Sequence, residues 1–452
     1  MKKNIEMKYT YLTIAVTIIS IIVTLVLNLP LYYGLLMGLL TAYSISIKAG
    51  YSFNETFKML VKGIRGALII IIMMSLIGML ISVWMSSGTI PTMIFYGFKY
   101  LSNTNIILAA FLTSSAISMV LGTALGAIGT IGTVFLSLAT GLDLPMAPLV
   151  GAIVSGSYLG DRTSPMSSSA NLAATITETN VIDNIRHMMV TTLPVFSISA
   201  ILYWIVGNNL ASGISNYSDI KYFEELLSSN FKIEFISLLP PLLILISAVV
   251  FRTSIIRSIV LGLVTSIGIF LFRDGASLIN MLNIAALGYH PENLQVAKIM
   301  SGGGFISMKN VLLVISISTG LNGILEGTDM INPLIQKFSS SIKNERNLIH
   351  KTAGLCIMVC SITCSQALTT IIPGQYLKKV YNSFSVSRNT LARTIGDAGI
   401  IIVALIPWNI NAILVSSITN VPTLEYLPYS FLCYILPALT FVYPIFKYKK
   451  TS

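Results

Sequence analysis

Charge is what this sequence has least of. Asp, Glu, Lys and Arg make up 10% of its 452 residues, where an ordinary soluble domain carries about 25%. Apolar residues reach 54% and the mean hydropathy is +0.81. That excludes a soluble globular protein and defines an all-α polytopic membrane protein with lipid as its surroundings. At about 20 residues per crossing, the length accommodates roughly ten to twelve spans. Histidine is scarcer still. His187, His290 and His350 stand far apart and no HExxH occurs, which speaks against a zinc enzyme. The 4 cysteines make no disulfide framework. Cys356, Cys360 and Cys364 recur every four residues and share one helix face, a small-residue packing surface rather than a zinc pattern. A cleavable leader is also missing. Tyr11 to Leu29 is too long for a signal h-region and no A-x-A site follows, so the first helix is expected to stay. The net charge of +11 resides in short loops between apolar runs, so nucleic acid is not an expected partner.

Against that background one stretch stands out, Gly156–Asn171, GSYLGDRTSPMSSSAN. Asp161 and Arg162 are adjacent, Pro165 follows, and Ser164, Ser167, Ser168, Ser169 and Asn171 crowd around it. A charged pair within an apolar run is expensive in hydrocarbon and by default marks a functional site facing protein or water. Gly and Pro break a helix at membrane depth only where the freed backbone groups line a cavity. The stretch therefore predicts a broken helix bearing an ion or substrate site. Two blander readings remain beside it: a cytoplasmic loop between helices, and serines that merely cap the LAATIT helix.

In chain order, helices are expected at about Tyr11–Leu29, Leu31–Ile47 and Ala67–Trp84. The second carries Gly34-x-x-x-Gly38, a close-packing spacing, and is followed by a basic loop over 48–65. The Gly/Thr-rich run LGTALGAIGTIGT makes Ile106–Thr140 a hairpin of two helices. Pro145–Thr177 is the broken segment, Met188–Val206 a helix, and Asn208–Lys232 a polar linker. The second half continues with helices at Phe235–Val250, Ile255–Phe272 and Val311–Leu325. A long polar loop over Arg273–Lys309 ends in Gly302–Gly304. A hairpin over Thr352–Gly374 centres on TCSQALTTIIPG, and a second interrupted run, RTIGDAGIIIVALIPWNINA, spans Thr394–Ser417.

The halves resemble each other. SSGTIP at Ser86–Pro91 has a counterpart in EGTDMINP at Glu326–Pro333, and Gly160-Asp161 in Gly396-Asp397. Each Asp precedes a Pro and an Asn: Pro165 and Asn171, then Pro407 and Asn409. Paired broken segments are a sequence pointer to a secondary transporter's site. With the N-terminus inside, 21 of the 28 Lys and Arg fall in cytoplasmic stretches and 6 outside, the bias cytoplasmic loops show. This predicts two inverted-topology repeats, 1–207 and 235–452, each with a helical hairpin and a broken helix, joined by an extracellular linker at 208–234. It also predicts a multi-pass plasma-membrane protein with both termini cytoplasmic. Trp84 and Trp204 then fall at the outer interface, and Trp408 packs beside the second broken segment.

GDRTSPMSSSANLA resembles the signature of the NhaC-type sodium/proton antiporters, roughly G-D-K/R-x-S-P-L/M-S-D-T-T-N-L-A. LARTIGDAGIIIVALIPWN is similar to that family's L-S-R-x-x-E-D-S-G-T-x-x-x-P-L-I-P-W-N, and LGTALGAIGTIG to its Gly-Thr hairpin. The resemblance covers nearly the whole chain in order. It implies a carrier that is commonly dimeric, so that a homodimer is expected here, and that exchanges sodium for protons; some members exchange malate for lactate with coupled ions. Two acids of the pattern are missing: Ser168 stands where it has Asp, and Gly396 where it has Glu. That loosens the expectation of plain cation exchange and makes an organic solute more plausible.

The residues that remain still suit cation and proton chemistry. Sodium takes hard oxygen ligands, which carboxylates, hydroxyls and bared carbonyls supply. The candidate binding set is Asp161, Arg162, Ser164, Ser167, Ser168, Asn171, Arg393, Asp397 and Asn409, with Asp161 and Asp397 as the sodium-holding carboxylates. Arg393 lies four residues before Asp397, the helical pairing distance, so a purely tethering ion pair is the rival reading there. No cofactor is expected beyond sodium and protons as transported or coupling ions. Besides antiport, two functions are open: a sodium- or proton-coupled carrier of a small organic anion or amino acid, and an intramembrane aspartyl protease. The protease fits poorly, because Gly-x-Gly-Asp and Tyr-Asp contexts are absent and both Asp lie in Gly/Pro-broken runs.

Overall fold

The computed structural model describes residues 5–27, 29–101, 105–141, 144–211, 225–251, 253–275, 277–330, 342 and 344–447. Regular structure among them is helical, with an isolated antiparallel bridge between Tyr289 and Gly302. The first half contains α1 (Met7–Val26), α2 (Tyr32–Lys48), α3 (Phe53–Gly66), α4 (Leu68–Ser86), α5 (Thr89–Leu101) and α6 (Ile106–Leu121). There follow α7 (Ala124–Ala127), a π turn at Ile128–Gly132, α8 (Thr133–Gly141), α9 (Met146–Thr163), α10 (Ser168–Thr177) and α11 (Val181–Ala211). The second half has α12 (Leu239–Val249), α13 (Ile255–Asp274), α14 (Leu278–Leu287), α15 (Leu294–Ile299) and α16 (Lys309–Gly327). It ends with α17 (Glu345–Thr363), α18 (Gln366–Ser383), α19 (Arg388–Ile395), a π segment at Gly396–Ile400, α20 (Ile410–Thr419), α21 (Thr423–Tyr426) and α22 (Phe431–Lys447).

Five of the helices among the described residues are long and apolar enough to cross a membrane, and six if the bent pair at Thr423–Tyr429 and Phe431–Val442 counts as one span. Several other apolar helices are shorter because the chain breaks them, and the breaks are where polar residues gather.

Three segments differ from the sequence expectation. The basic loop over 48–65 is largely the amphipathic helix α3, begun by a capping box in which Ser52 accepts from Glu55 N and Glu55 accepts from Ser52 N. The S-x-x-E spacing that signals such a start was present beneath the charge. The polar loop over 273–309 contains α14, whose Met281 and Ala285 pack with Val83 of α4; ten apolar residues are too few to span a bilayer but enough to seal against a neighbour. In the linker, Asn208–Ala211 still belong to α11 and 225–230 are helical, while 212–224 lie outside the described residues. So do 331–341 and 343, which take in the end of the EGTDMINP stretch. Trp84 is 2% exposed in the main core, not at a lipid interface, because α13 and α14 cover α4. Trp204 is 53% exposed. Trp408 donates its indole N–H to Ser361 O at 2.8 Å, beside the second break as expected.

Small residues set the packing around the breaks. A Cβ on Gly156 or Gly160 would collide with the backbone of α6, so this Gly-x-x-x-Gly pair lets α9 lie directly against it. Gly34 and Gly38 do the same for α2 against Ile21 and Thr17 of α1. The cysteine face of α17 is buried, and Cys356 approaches Gly399 of the π segment.

The local geometry of the breaks recurs at one spacing. Gly122 (φ 67°) ends α6 and Thr123 caps α7; Cys364 (φ 52°) ends α17 and Ser365 caps α18. Ser167 caps α10, which ends on left-handed Glu178; Asn409 caps α20, which ends on left-handed Asn420. Each pair is 242 positions apart (364 − 122, 365 − 123, 409 − 167, 420 − 178). The aspartates do not follow this spacing. Asp161 precedes its cap by six residues (167 − 161) and Asp397 precedes its own by twelve (409 − 397), so they occupy different places relative to their breaks.

Candidate functional site

Asp161 and Arg162 close the last turn of α9. Successive side chains on an α-helix project about 100° apart, and here that separates them into two surroundings.

Asp161 is 5% exposed and stands in the wall of an open cavity of about 860 Å³. Gln366 Nε2 donates to its Oδ2 at 2.7 Å, Ser169 Oγ to the two oxygens at 3.3 and 3.2 Å, and Ser167 Oγ to Oδ1 at 3.3 Å. Ser167 also donates to Asp161 O at 2.5 Å and accepts from the N–H groups of Ser169 and Ala170. It is both helix cap and carboxylate partner, so the two readings of the serine run coexist. Ser168 lines the same cavity. Ser164 instead donates to Met119 O at 2.6 Å and pins the break to the end of α6. Asn171 donates its side-chain amide to Pro165 O and Ser167 O at 2.9 and 2.7 Å, tying the start of α10 back to the break. Gly122 completes this corner: its positive φ and its approach to Met166 both exclude a side chain.

Arg162 is fully buried. Its guanidinium forms an ion pair with Asp397, itself 0% exposed, and donates to Thr192 Oγ1 at 2.5 Å and Thr191 Oγ1 at 3.2 Å. Thr440 Oγ1 donates to Asp397 Oδ2 at 3.0 Å and Thr191 does so at 3.4 Å. The pair thus joins α9 to the π segment, with α11 and α22 packed around it. Where the rival reading had an Arg393–Asp397 tether, the structure gives Asp397 an ion pair with Arg162, in the other half of the chain. A π segment begins at Gly396, and its i→i+5 winding takes Asp397 out of the α-helical register that places i+4 over i. Arg393 is buried at 2% exposure in the last turn of α19. Asn409 is buried, caps α20 by accepting from Asn411 N at 3.0 Å, and donates to Cys360 Sγ at 3.3 Å.

The nine candidate residues are therefore not one cluster. Asp161, Ser167, Ser168 and Asn171 gather at the first break. Arg162 and Asp397 form a closed pair beside it, and Asn409 serves the second break. The cavity wall adds residues that the sequence reading passed over: Gln366, Asn411, Thr123, and on the facing helices Lys62 of α3 with Asn322 and Glu326 of α16. Asn322 Oδ1 is buried with no hydrogen-bond partner. Among the described residues no group of three His, Cys, Asp or Glu gathers to hold a metal; the carboxylates in the cavity wall are those of Asp161 and Glu326.

Apolar helices interrupted by capped breaks, with a carboxylate facing a cavity, are the pattern of a multi-pass membrane transporter. Comparison with known proteins gives the family. The sequence model of the Na+/H+ antiporter family matches residues 3–169 and 156–448, and the chain belongs to that family. It is 30% identical over 410 residues to the Na(+)/H(+) antiporter NhaC of Bacillus subtilis (strain 168), covering 90% of each chain. It is also 30% identical over 447 residues to the Na(+)/H(+) antiporter NhaC of Alkalihalophilus pseudofirmus, covering 98% of this chain and 96% of the other. The Malate-2H(+)/Na(+)-lactate antiporter of Bacillus subtilis (strain 168) is 25% identical over 414 residues, 90% of this chain and 88% of that one.

Proposed function

We propose that this chain is a secondary antiporter in which a sodium ion and a proton compete for the carboxylate of Asp161. The observation that carries this reading is the placement of Asp161: a carboxylate at a helix break, in a cavity wall, held by one amide and two hydroxyls. Burial favours the neutral, protonated form of a carboxylate, while a cation with hard ligands favours the ionised form, so the two cargoes exclude each other on one group. Arg162 and Asp397 act as a tether that carries the second broken segment with the first. A shared-proton dyad, the chemistry of an aspartyl protease, does not suit this pair, since Asp397 is committed to Arg162 and Asp161 to Gln366.

The constant spacing of caps and left-handed turns supports two repeats, 1–207 and 235–452. The distribution of Lys and Arg supports inverted topology, with both termini cytoplasmic and 207–234 outside. A homodimer is part of the same proposal. The test is sodium-driven proton movement by the purified protein in proteoliposomes, with Asp161→Asn as the comparison.

A second reading is favoured by cavity size. About 860 Å³ lies in the range of small-molecule pockets and far exceeds a bare ion. The N-terminal residues of α10, α18 and α20 all line it, and helix N-termini favour anions. A small organic acid carried with the cation fits these features. Arg162 would take no part, because it is buried against Asp397. Addition of malate, lactate or amino acids to the same vesicles tests this reading.

A further inference from the structure

Gln366 stands where the two halves of the chain meet over Asp161. It is the first residue of α18, delivered there by the left-handed turn at Cys364 and the cap at Ser365. Its Nε2 carries two hydrogens, and both are used: one on Asp161 Oδ2 at 2.7 Å, the other on Ile400 O at 3.2 Å. An ionised carboxylate and a backbone carbonyl accept only, so chemistry fixes the amide with its nitrogen toward them. The side chain lines the cavity, and Oε1 remains for whatever enters it.

The hydroxyls beside Asp161 are turned toward the carboxylate, and of the two only Ser167 also spends its lone pairs on backbone N–H groups. Ser167 Oγ donates to Asp161 and accepts from two backbone N–H groups. Ser169 Oγ gives its hydrogen to the carboxylate. A small cation arriving at Asp161 needs several hard oxygens, and Gln366 Oε1 belongs to the side chain that already reaches the carboxylate from the other half of the chain.

We propose that Gln366 is a specificity-determining ligand of the transported cation. Its Oε1 and the Asp161 carboxylate take the ion from opposite halves of the chain. Its Nε2 meanwhile stays on Ile400 O, the last residue of the π segment that carries Asp397. Fixing the amide at both ends sets the span between the two oxygens and so selects cation size. The inference rests on the reading of Asp161 as the cation site.

The experiment uses the full-length protein in proteoliposomes with sodium, lithium or potassium gradients and a proton readout. Gln366→Met keeps length and removes both amide atoms; Gln366→Glu keeps an oxygen. The Met variant should raise the sodium KM about tenfold or more and flatten the preference among alkali cations, with maximal rate reduced about threefold at most. The Glu variant should hold the sodium KM near that of the parent or lower it. A Met variant with sodium KM and ion preference within about twofold of the parent, whatever its rate, overturns the proposal. Asp161→Asn runs alongside: exchange at the parental rate there defeats the reading of Asp161 instead, so the two failures are distinguishable. If the Met variant does not fold, sodium-dependent thermal stabilisation in detergent replaces it. Gln366→Asn, one methylene short, should lose the sodium-induced rise in Tm that Gln366→Glu keeps; equal rises in both variants and the parent overturn the proposal.

Discussion

Asp161 and Asp397 are both buried carboxylates in interrupted helices, yet the protein treats them differently. Asp161 meets neutral donors and a cavity. Asp397 meets an arginine and two threonines and is fully buried. The difference follows from position: Asp161 lies six residues before its cap, on the turn that opens into the break, whereas Asp397 lies twelve before its own, inside the packed π segment. A carboxylate neutralised by a buried arginine has little to offer a cation. One held by amide and hydroxyls can trade those partners for an ion or a proton. On the proposed reading, Asp161 serves the cargo and Arg162 the frame within one Gly-Asp-Arg run.

The sharpest way to break this comparison is to neutralise each acid in turn. Asp161→Asn should abolish exchange and leave the protein inserted and folded. Asp397→Asn or Arg162→Gln should chiefly destabilise, by about 3–5 kcal/mol, because each strands one buried charge. The combined apolar replacement Arg162→Met with Asp397→Leu should recover most of that loss, read as detergent-solubilised Tm. Full stability in the single variants would mean that the pair is no tether.

The positions where the family pattern has acids sharpen the comparison further. Ser168 lines the cavity, so Ser168→Asp adds a charge beside Asp161 and should strengthen cation-only exchange. A side chain at Gly396 would start 2.9 Å from Met188 Cε and 3.3 Å from Arg162 Nε. Gly396→Glu therefore competes with Asp397 for Arg162 and should alter stability more than sodium affinity. The sodium KM of each single variant checks this, and a larger KM change in Gly396→Glu than in Ser168→Asp would reverse the assignment.

The smallest effect is expected far from both acids. Exposed Glu178, at the end of α10, pairs with Lys378 of α18 and Arg388 of α19. Lys378, with Arg388, holds its carboxyl below the usual carboxylate range. The stabilisation is present above the ordinary carboxylate pKa and fades as pH falls through the lowered one. Glu178→Gln should lower Tm slightly at neutral pH, with the gap closing in acid. A gap that widens in acid would contradict that sign.

Much of this was legible in the sequence. Asp161 could be found because charge is rare in apolar runs, and the breaks because Gly, Pro and cap residues mark them. The partners of Asp397 could not, since Arg162, Thr191 and Thr440 come together only through packing of α9, α11 and α22. Local spacing favoured Arg393 instead, and the π segment that spoils that register leaves no simple sequence mark. Gln366 was visible in TCSQALTTIIPG as an amide among short hydroxyls, but what it touches depends on where the hairpin tip lands. Segment α3 went unread because its charges suggested a loop although its S-x-x-E start pointed to a helix.

On the proposed reading one carboxylate, Asp161, carries both cargoes while Asp397 in the second half carries neither. The most direct measurement is sodium-driven proton movement in proteoliposomes free of organic solute, for the parent and for Asp161→Asn matched for folded protein. The account predicts clear exchange by the parent and none by the variant. Parental exchange rates in Asp161→Asn, or a parent silent until an organic acid is added, would contradict it.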